Sequence, residues 1–252
     1  MNIRQQHLIK PVGAMLLMVS VAFVAGCGGG GGGGSSASST SMVSIAGTAA
    51  TGKALANATV SIDCARGAMS VAADANGNYH ATLDAVTPCM IAATSGGTTL
   101  HSVAFAGGAY NVTPETDLLL SYLAAQLGTN ESGLIAGFAL NTQFQQVLAN
   151  QTDVLTAQAA VVQSLQQTYG VTLSTPNFLT TSFVVGQPGE DSDLEALLGL
   201  GAIDANGEPD AAAVTLMATA GAAHPIATPP NNSTSGTGGT GVGGTGNAGG
   251  MM

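Results

Sequence analysis

Apolar positions recur in steps of two through the first half of the chain and in steps of three and four through the second. In "ATVSID" Val60 and Ile62 point one way and Thr59 and Ser61 the other, the pattern of a half-buried strand. "SVAADANGNYHATL" reads as strand, turn, strand, with Asp74-Ala75-Asn76-Gly77 at the turn because Asn and Gly tolerate positive φ. "CMIAATSGGTTLHSVAFAG" adds two more strands around Gly96-Gly97. Short strands at this spacing predict a small antiparallel β-sandwich over residues 45–112.

The period changes at "VTPETDLLLSYLAAQLG". Thr113 suits an N-cap and Pro114 the first helical position, with Glu115 and Asp117 in the turn where the macrodipole favours acids. Leu119, Leu120, Leu123 and Leu127 share one face, and Gly128 can end the helix. "TQFQQVLANQTDVLTAQAAVVQSLQQTYG" is the longest helical signal. Its stripe is Phe144, Val147, Leu148, Leu155, Val162, Leu165 and Tyr169, its glutamines read as a solvated face, and Gly170 ends it. Asn150 to Asp153 are placed to divide it. Two shorter helices follow, started by Asp191 or Asp193 and by Asp210. The chain is therefore expected to be α+β: a small N-terminal antiparallel sandwich, then a helical bundle segment over 113–224. Gly-rich ends flank it, and the tail 225–252 is too poor in apolar residues to order itself.

Charge narrows the partners. Four basic residues stand against fourteen acidic ones. Arg4 and Lys10 lie in the first ten residues, so Lys53 and Arg66 are the only Lys or Arg in the rest. Such a surface repels phosphate backbones and excludes nucleic acid as a partner. It also lacks a polybasic patch for a membrane.

The N-terminus supplies the clearest targeting signal. A positive start is followed by an apolar run from Val12 to Val24, too short for a membrane span, and by small residues before Cys27. Val24-Ala25-Gly26-Cys27 resembles the bacterial lipobox, in which the cysteine becomes the first mature residue and carries lipid. The resemblance implies a signal peptide over 1–26, a lipidated Cys27, and a Gly/Ser tether over 27–44. Family members carry three acyl chains, where two already anchor stably. Gly28, where an aspartate would imply inner-membrane retention, implies the outer membrane. The competing reading is an ordinary signal with a chance cysteine.

"IAGTAATGKALANATVSI", "ADANGNYHATL" and "CMIAAT" resemble the carboxypeptidase-regulatory-like, prealbumin-type sandwich, through Ala58-Thr59-Val60 and Asp74, Gly77 and Tyr79. "LHSVAFAGGAYNVTPETDLLLSYLAAQLG" is similar to uncharacterised proteobacterial lipoproteins that join such a sandwich to helices through a "VTP" junction. The likeness spans roughly residues 45–222. It implies an accessory module and brings no activity.

Exported chains meet an oxidising compartment. With Cys27 lipidated, Cys64 and Cys89 are left as a pair, and closing their loop is worth about 3.5 kcal/mol in the loop-entropy model. Two buried free thiols are the alternative.

Catalytic patterns are absent: there is no G-x-S-x-G, H-E-x-x-H, Walker loop or strand-to-helix G-x-G-x-x-G. His80 and His101 could approach across the sheet, but positions without catalysis are expected. Half of the acids fall between Glu190 and Asp210. Clustered oxygens suit calcium, yet "DANGEPD" fails the EF-hand spacing, and capping by Asp191, Asp193 and Asp210 with a turn at Asp204 accounts for the cluster. No catalytic residue, cofactor or metal ligand is expected. The sequence points to a non-enzymatic envelope lipoprotein, held in the bilayer through Cys27 and meeting an envelope protein or glycan. An exported small-ligand or carbohydrate-binding protein is the alternative.

Overall fold

The computed structural model describes residues 39–226. The signal peptide, Cys27, most of the tether and nearly all of the tail lie outside them. The fold is α+β, with a six-stranded mixed sheet followed by six helices.

The strands are β1 (Ser41–Thr48), β2 (Thr59–Arg66), β3 (Ala68–Ala72), β4 (Asn78–Ser95), β5 (Thr98–Ala104) and β6 (Gly108–Ala109). β4 organises the sheet. Its first half pairs antiparallel with β1, from Thr48↔Asn78 to Ser41↔Ala85. Its second half runs between β2 and β5. The sequence suggests two strands here, the second opened by Cys89, but one strand carries both segments and Cys89 lies inside it. Thr87–Pro88, a cis peptide, marks the change of partner.

The turn at Asp74 falls where expected. The Asp74 carboxylate accepts from the backbone N–H groups of Asn76 and Asn78, both at 2.8 Å. Gly77 sits at φ +81°, with the Ala49 carbonyl oxygen 2.3 Å from where a Cβ would stand. The turn does not close a hairpin, however: β3 pairs with β2, while β4 sets off beside β1. Gly96-Gly97 does close one, between β4 and β5. The sheet also departs from the expected all-antiparallel order, because β6 pairs parallel with β1 at Ile45↔Gly108 and Ala46↔Ala109.

Cys64 and Cys89 face each other on adjacent strands and form a disulfide, S–S 2.00 Å. The expected inward positions of β2 hold: Val60 and Ile62 are fully buried.

The helices are α1 (Pro114–Gln126), α2 (Glu131–Gly137), α3 (Thr142–Ala149), α4 (Gln151–Tyr169), α5 (Glu190–Gly199) and α6 (Ala211–Ala222). α1 starts and stops where its signals lie, with Thr113 at the N-cap, Pro114 first in the helix and Gly128 at φ +73° beyond its end. The expected single apolar face is replaced by burial all round, since every residue from Pro114 to Ala124 is buried. β5 and helices α2, α4 and α6 pack against it. A helix buried on all sides needs no moment.

Asn150 divides the long helical signal, its side chain accepting from Thr152 N–H. The buried face of α4 is Val154, Ala157, Gln158, Val161 and Leu165, one position out of phase with the expected Leu155 and Val162. Gln158 lies on this buried face. It leaves the solvated face assigned to the glutamines, and its Oε1 accepts from Leu179 N–H at 3.1 Å. With Asn111, whose Nδ2 donates to the carbonyls of Phe178 and Thr181, it straps the irregular segment after α4 onto the core. α2 has no counterpart among the sequence expectations: its two glycines hide a helix capped by Asn130, which accepts from Gly133 N–H at 2.8 Å.

Two measurements check this framework. Replacing Cys64 and Cys89 by Ala should lower unfolding free energy by about 2–4 kcal/mol in denaturant titrations, because the cross-link restricts the unfolded chain. Gly47 in β1 has the Tyr110 carbonyl oxygen 1.7 Å from its would-be Cβ, and Tyr79 Oη donates to that same oxygen at 2.6 Å. Gly47→Ala must displace backbone rather than a flexible side chain. It should cost about 2 kcal/mol or more by the same titration.

Candidate functional site

The first turn of α1 places two acids on opposite courses. Both point inward, a contact that their expected role beside the helix dipole does not require. The reason lies in what receives them.

Asp117 turns to β5. Its Oδ1 accepts from the His101 backbone N–H at 2.8 Å and lies 3.0 Å from His101 Nδ1. Next to it, Thr116 Oγ1 donates to the His101 carbonyl at 2.6 Å and accepts from Thr113 N–H at 2.9 Å. The expected capping is thus carried by Thr116, while the Thr113 hydroxyl has no partner among the described residues. Glu131, first residue of α2, completes the group: its Oε1 stands 3.7 Å from His101 Nδ1 and its Oε2 accepts from Ser121 Oγ.

His101, Asp117 and Glu131 therefore converge from three elements, each offering one ligand atom within 4.8 Å of the others. Burial holds the His101 imidazole below its usual value, against the pull of Glu131 and Glu208. Burial pushes Asp117 up to about 7, outweighing the hydrogen bonds that favour its charge. Glu131 is pushed up to about 8, by burial first and then by the adjacent Asp117. Glu131 and Ser121 also line a cleft of about 380 Å³, with Thr129, Asn130, Ser132, Val214 and Ala218.

Glu115 turns the other way, to Glu190 of α5. Both side chains are fully buried, and neither carboxyl receives a donor from a third residue. Burial raises Glu115 well above its usual value, and the neighbouring Glu190 and Asp193 raise it further. Glu190 is pushed up to about 7, again by burial first. The pair holds a proton between its carboxyl groups near neutrality, because two adjacent buried carboxylates do not both ionise.

The other expected residues are placed as follows. α5 begins at Glu190 with Gly189 as its cap, so neither Asp191 nor Asp193 starts it. Asp193 instead accepts from Ser174 N–H, Ser174 Oγ and Thr175 N–H, and Asp191 Oδ2 from Gly186 N–H. Asp210 does cap α6, accepting from Ala212 N–H at 2.8 Å. Asp204 closes its turn by accepting from Asn206 and Glu208 N–H, each at 2.9 Å. His80 and His101 have separate surroundings: His80 Nε2 lies 3.1 Å from Ser44 Oγ on β1. Glu131 and the pairing of Glu115 with Glu190 were outside sequence reasoning. A usable signal was the presence of acids beside apolar residues with almost no Lys or Arg to pair them.

The chain matches no family model, and no curated protein or solved structure shows significant similarity to it.

The pH dependence of stability follows from Glu190. Its folded value lies above that of an unfolded carboxyl, so the folded state binds the extra proton. The stability this confers is complete below about pH 4 and is lost as pH rises through about 7. Unfolding free energy should fall by something on the order of 2 kcal/mol from this group between about pH 5 and pH 8. Glu190→Gln does not ionise, so it should remove that part of the fall. Parallel pH profiles for the two proteins would contradict the assignment.

Proposed function

We propose that the chain is an exported bacterial envelope lipoprotein, anchored in the outer membrane through acylated Cys27. The α+β body is displayed at the end of a Gly/Ser tether as a non-enzymatic interaction module, whose partner is an envelope protein or glycan. The observation that carries this reading is the Cys64–Cys89 disulfide, joined across adjacent strands. Such bonds persist in oxidising compartments and are rare in cytosolic chains. It agrees with the lipobox-like Val24-Ala25-Gly26-Cys27, and with a body that, after Lys10, has only Lys53 and Arg66 as Lys or Arg. The likeness of the strand segments to a prealbumin-type accessory module supports the same assignment. Among the described residues no helix is long and apolar enough to cross a membrane.

The carbohydrate-binding alternative is less well supported. The lining of the cleft beside Glu131 holds no aromatic ring to stack on a sugar face.

Cys27→Ser tests the anchor. Wild-type chain should sediment with membranes, incorporate labelled fatty acid, and have a mature mass that starts at an acylated Cys27. The variant should lose the label and accumulate unprocessed. Unchanged mature mass and label in the variant would overturn the proposal.

A further inference from the structure

We propose that His101, Asp117 and Glu131 bind one divalent transition-metal ion, zinc in the first instance. The spacing of the donor atoms is the first ground. Two ligand atoms about 2.0–2.1 Å from a tetrahedral ion stand about 3.3 Å apart. The separations of His101 Nδ1 from Asp117 Oδ1 and Glu131 Oε1, 3.0 and 3.7 Å, bracket that distance. All three donors fall within the 4.8 Å that one ion can span.

A second ground is the burial of Asp117. It is 5% exposed, its Oδ1 accepts from the His101 backbone N–H and stands 3.0 Å from His101 Nδ1, and its carboxyl adjoins that of Glu131, so an imidazole and two carboxyl groups face one another.

Charge is the third. With both acids deprotonated, as metal ligation requires, and the imidazole neutral, the trio carries −2, and the further charged group acting on it is the acid Glu208, whose Oε1 accepts from Thr99 N–H. No Lys or Arg is among the groups that perturb the three. A dication supplies the missing charge at one point.

The surroundings suit a metal. The ligands come from β5, α1 and α2, and each is held by a bond outside the trio or by its backbone: His101 by Thr116 on its carbonyl, Asp117 by the His101 N–H, Glu131 by Ser121 Oγ. Outer bonds of this kind orient ligands before the ion arrives. Glu131 also lines the cleft it shares with Ser121, which brings one side of the group to the surface. One nitrogen and two oxygens match zinc or manganese. Calcium asks for six to eight oxygens, which this group lacks.

The rival occupant is a proton shared between Asp117 and Glu131. Full-length protein, stripped with chelator and dialysed, separates the two when titrated with zinc and manganese at neutral pH. Calorimetry and elemental analysis should give one ion per chain. The His101 imidazole nitrogen resonances should shift on zinc addition, and cobalt should add visible absorption bands. Glu131→Gln and His101→Gln should each weaken binding by at least about tenfold, while His80→Gln should leave it unchanged. Circular dichroism checks that each variant folds; the nitrogen shifts and stoichiometry of the wild type stand without any variant. Absence of zinc and manganese uptake by folded wild type would overturn the proposal. So would uptake that leaves the His101 resonances in place, or binding that follows His80.

Discussion

The first turn of α1 lies along the outer edge of β5 and makes the bonds that another strand would make. Thr116 takes the His101 carbonyl, and Asp117 takes the His101 N–H. A sheet edge left open exposes unpaired backbone groups and invites pairing with other chains. Here the edge is closed by side chains of a helix, which ties the direction of α1 to the sheet. Everything packed on α1 then inherits that direction: α2, α4 and α6. The sheet and the helices consequently share one hydrophobic core rather than two.

Sealing the edge with an acid has an electrostatic side. Asp117 is removed from water to reach the His101 N–H, and Glu115, on the same turn, is removed with it. A chain richer in Lys and Arg would have ion pairs to offer at these places. This one has to compensate its buried carboxyls with backbone donors, hydroxyls, shared protons or a bound ion. Asp193 shows the donor solution complete, with two N–H groups and a hydroxyl around one carboxylate. Glu115 and Glu190 show the proton solution.

Local signals in the sequence carried the elements whose chemistry is local. The Asp74 turn, the Gly96-Gly97 hairpin, the start of α1 at Pro114 and its end before Gly128, the split at Asn150 and the Asp210 cap all depend on residues within a few positions. Partnerships across the chain were hidden. β4 looked like two strands because its two halves serve different neighbours, and nothing in "NYHATLDAVTPCMIAATS" marks the change except Pro88. Gln158 looked like a surface residue because its partner, Leu179, belongs to a segment without periodicity. Asp117 looked like a dipole partner because that role needs no tertiary contact, whereas its contact with His101 spans sixteen residues. The disulfide was readable because a count of cysteines and a compartment suffice. The His101 group was not, since three residue types on a strand, a helix and an unforeseen short helix share no spacing rule.

The enclosure of α1 constrains the order in which the molecule can be completed. Its apolar sides are covered by β5, which precedes it, and by α6, almost the last described element. Glu115 likewise waits for Glu190, and β5 waits for the loop at 206–208 that bonds Thr98 and Thr99. A chain emerging from its N-terminus carries Leu118, Leu119, Leu120 and Leu123 for about a hundred residues before their cover is made, a span at which unfinished cores invite aggregation. A chain that stops after α4 therefore leaves one side of α1 without its cover, so that the centre of the protein becomes its surface.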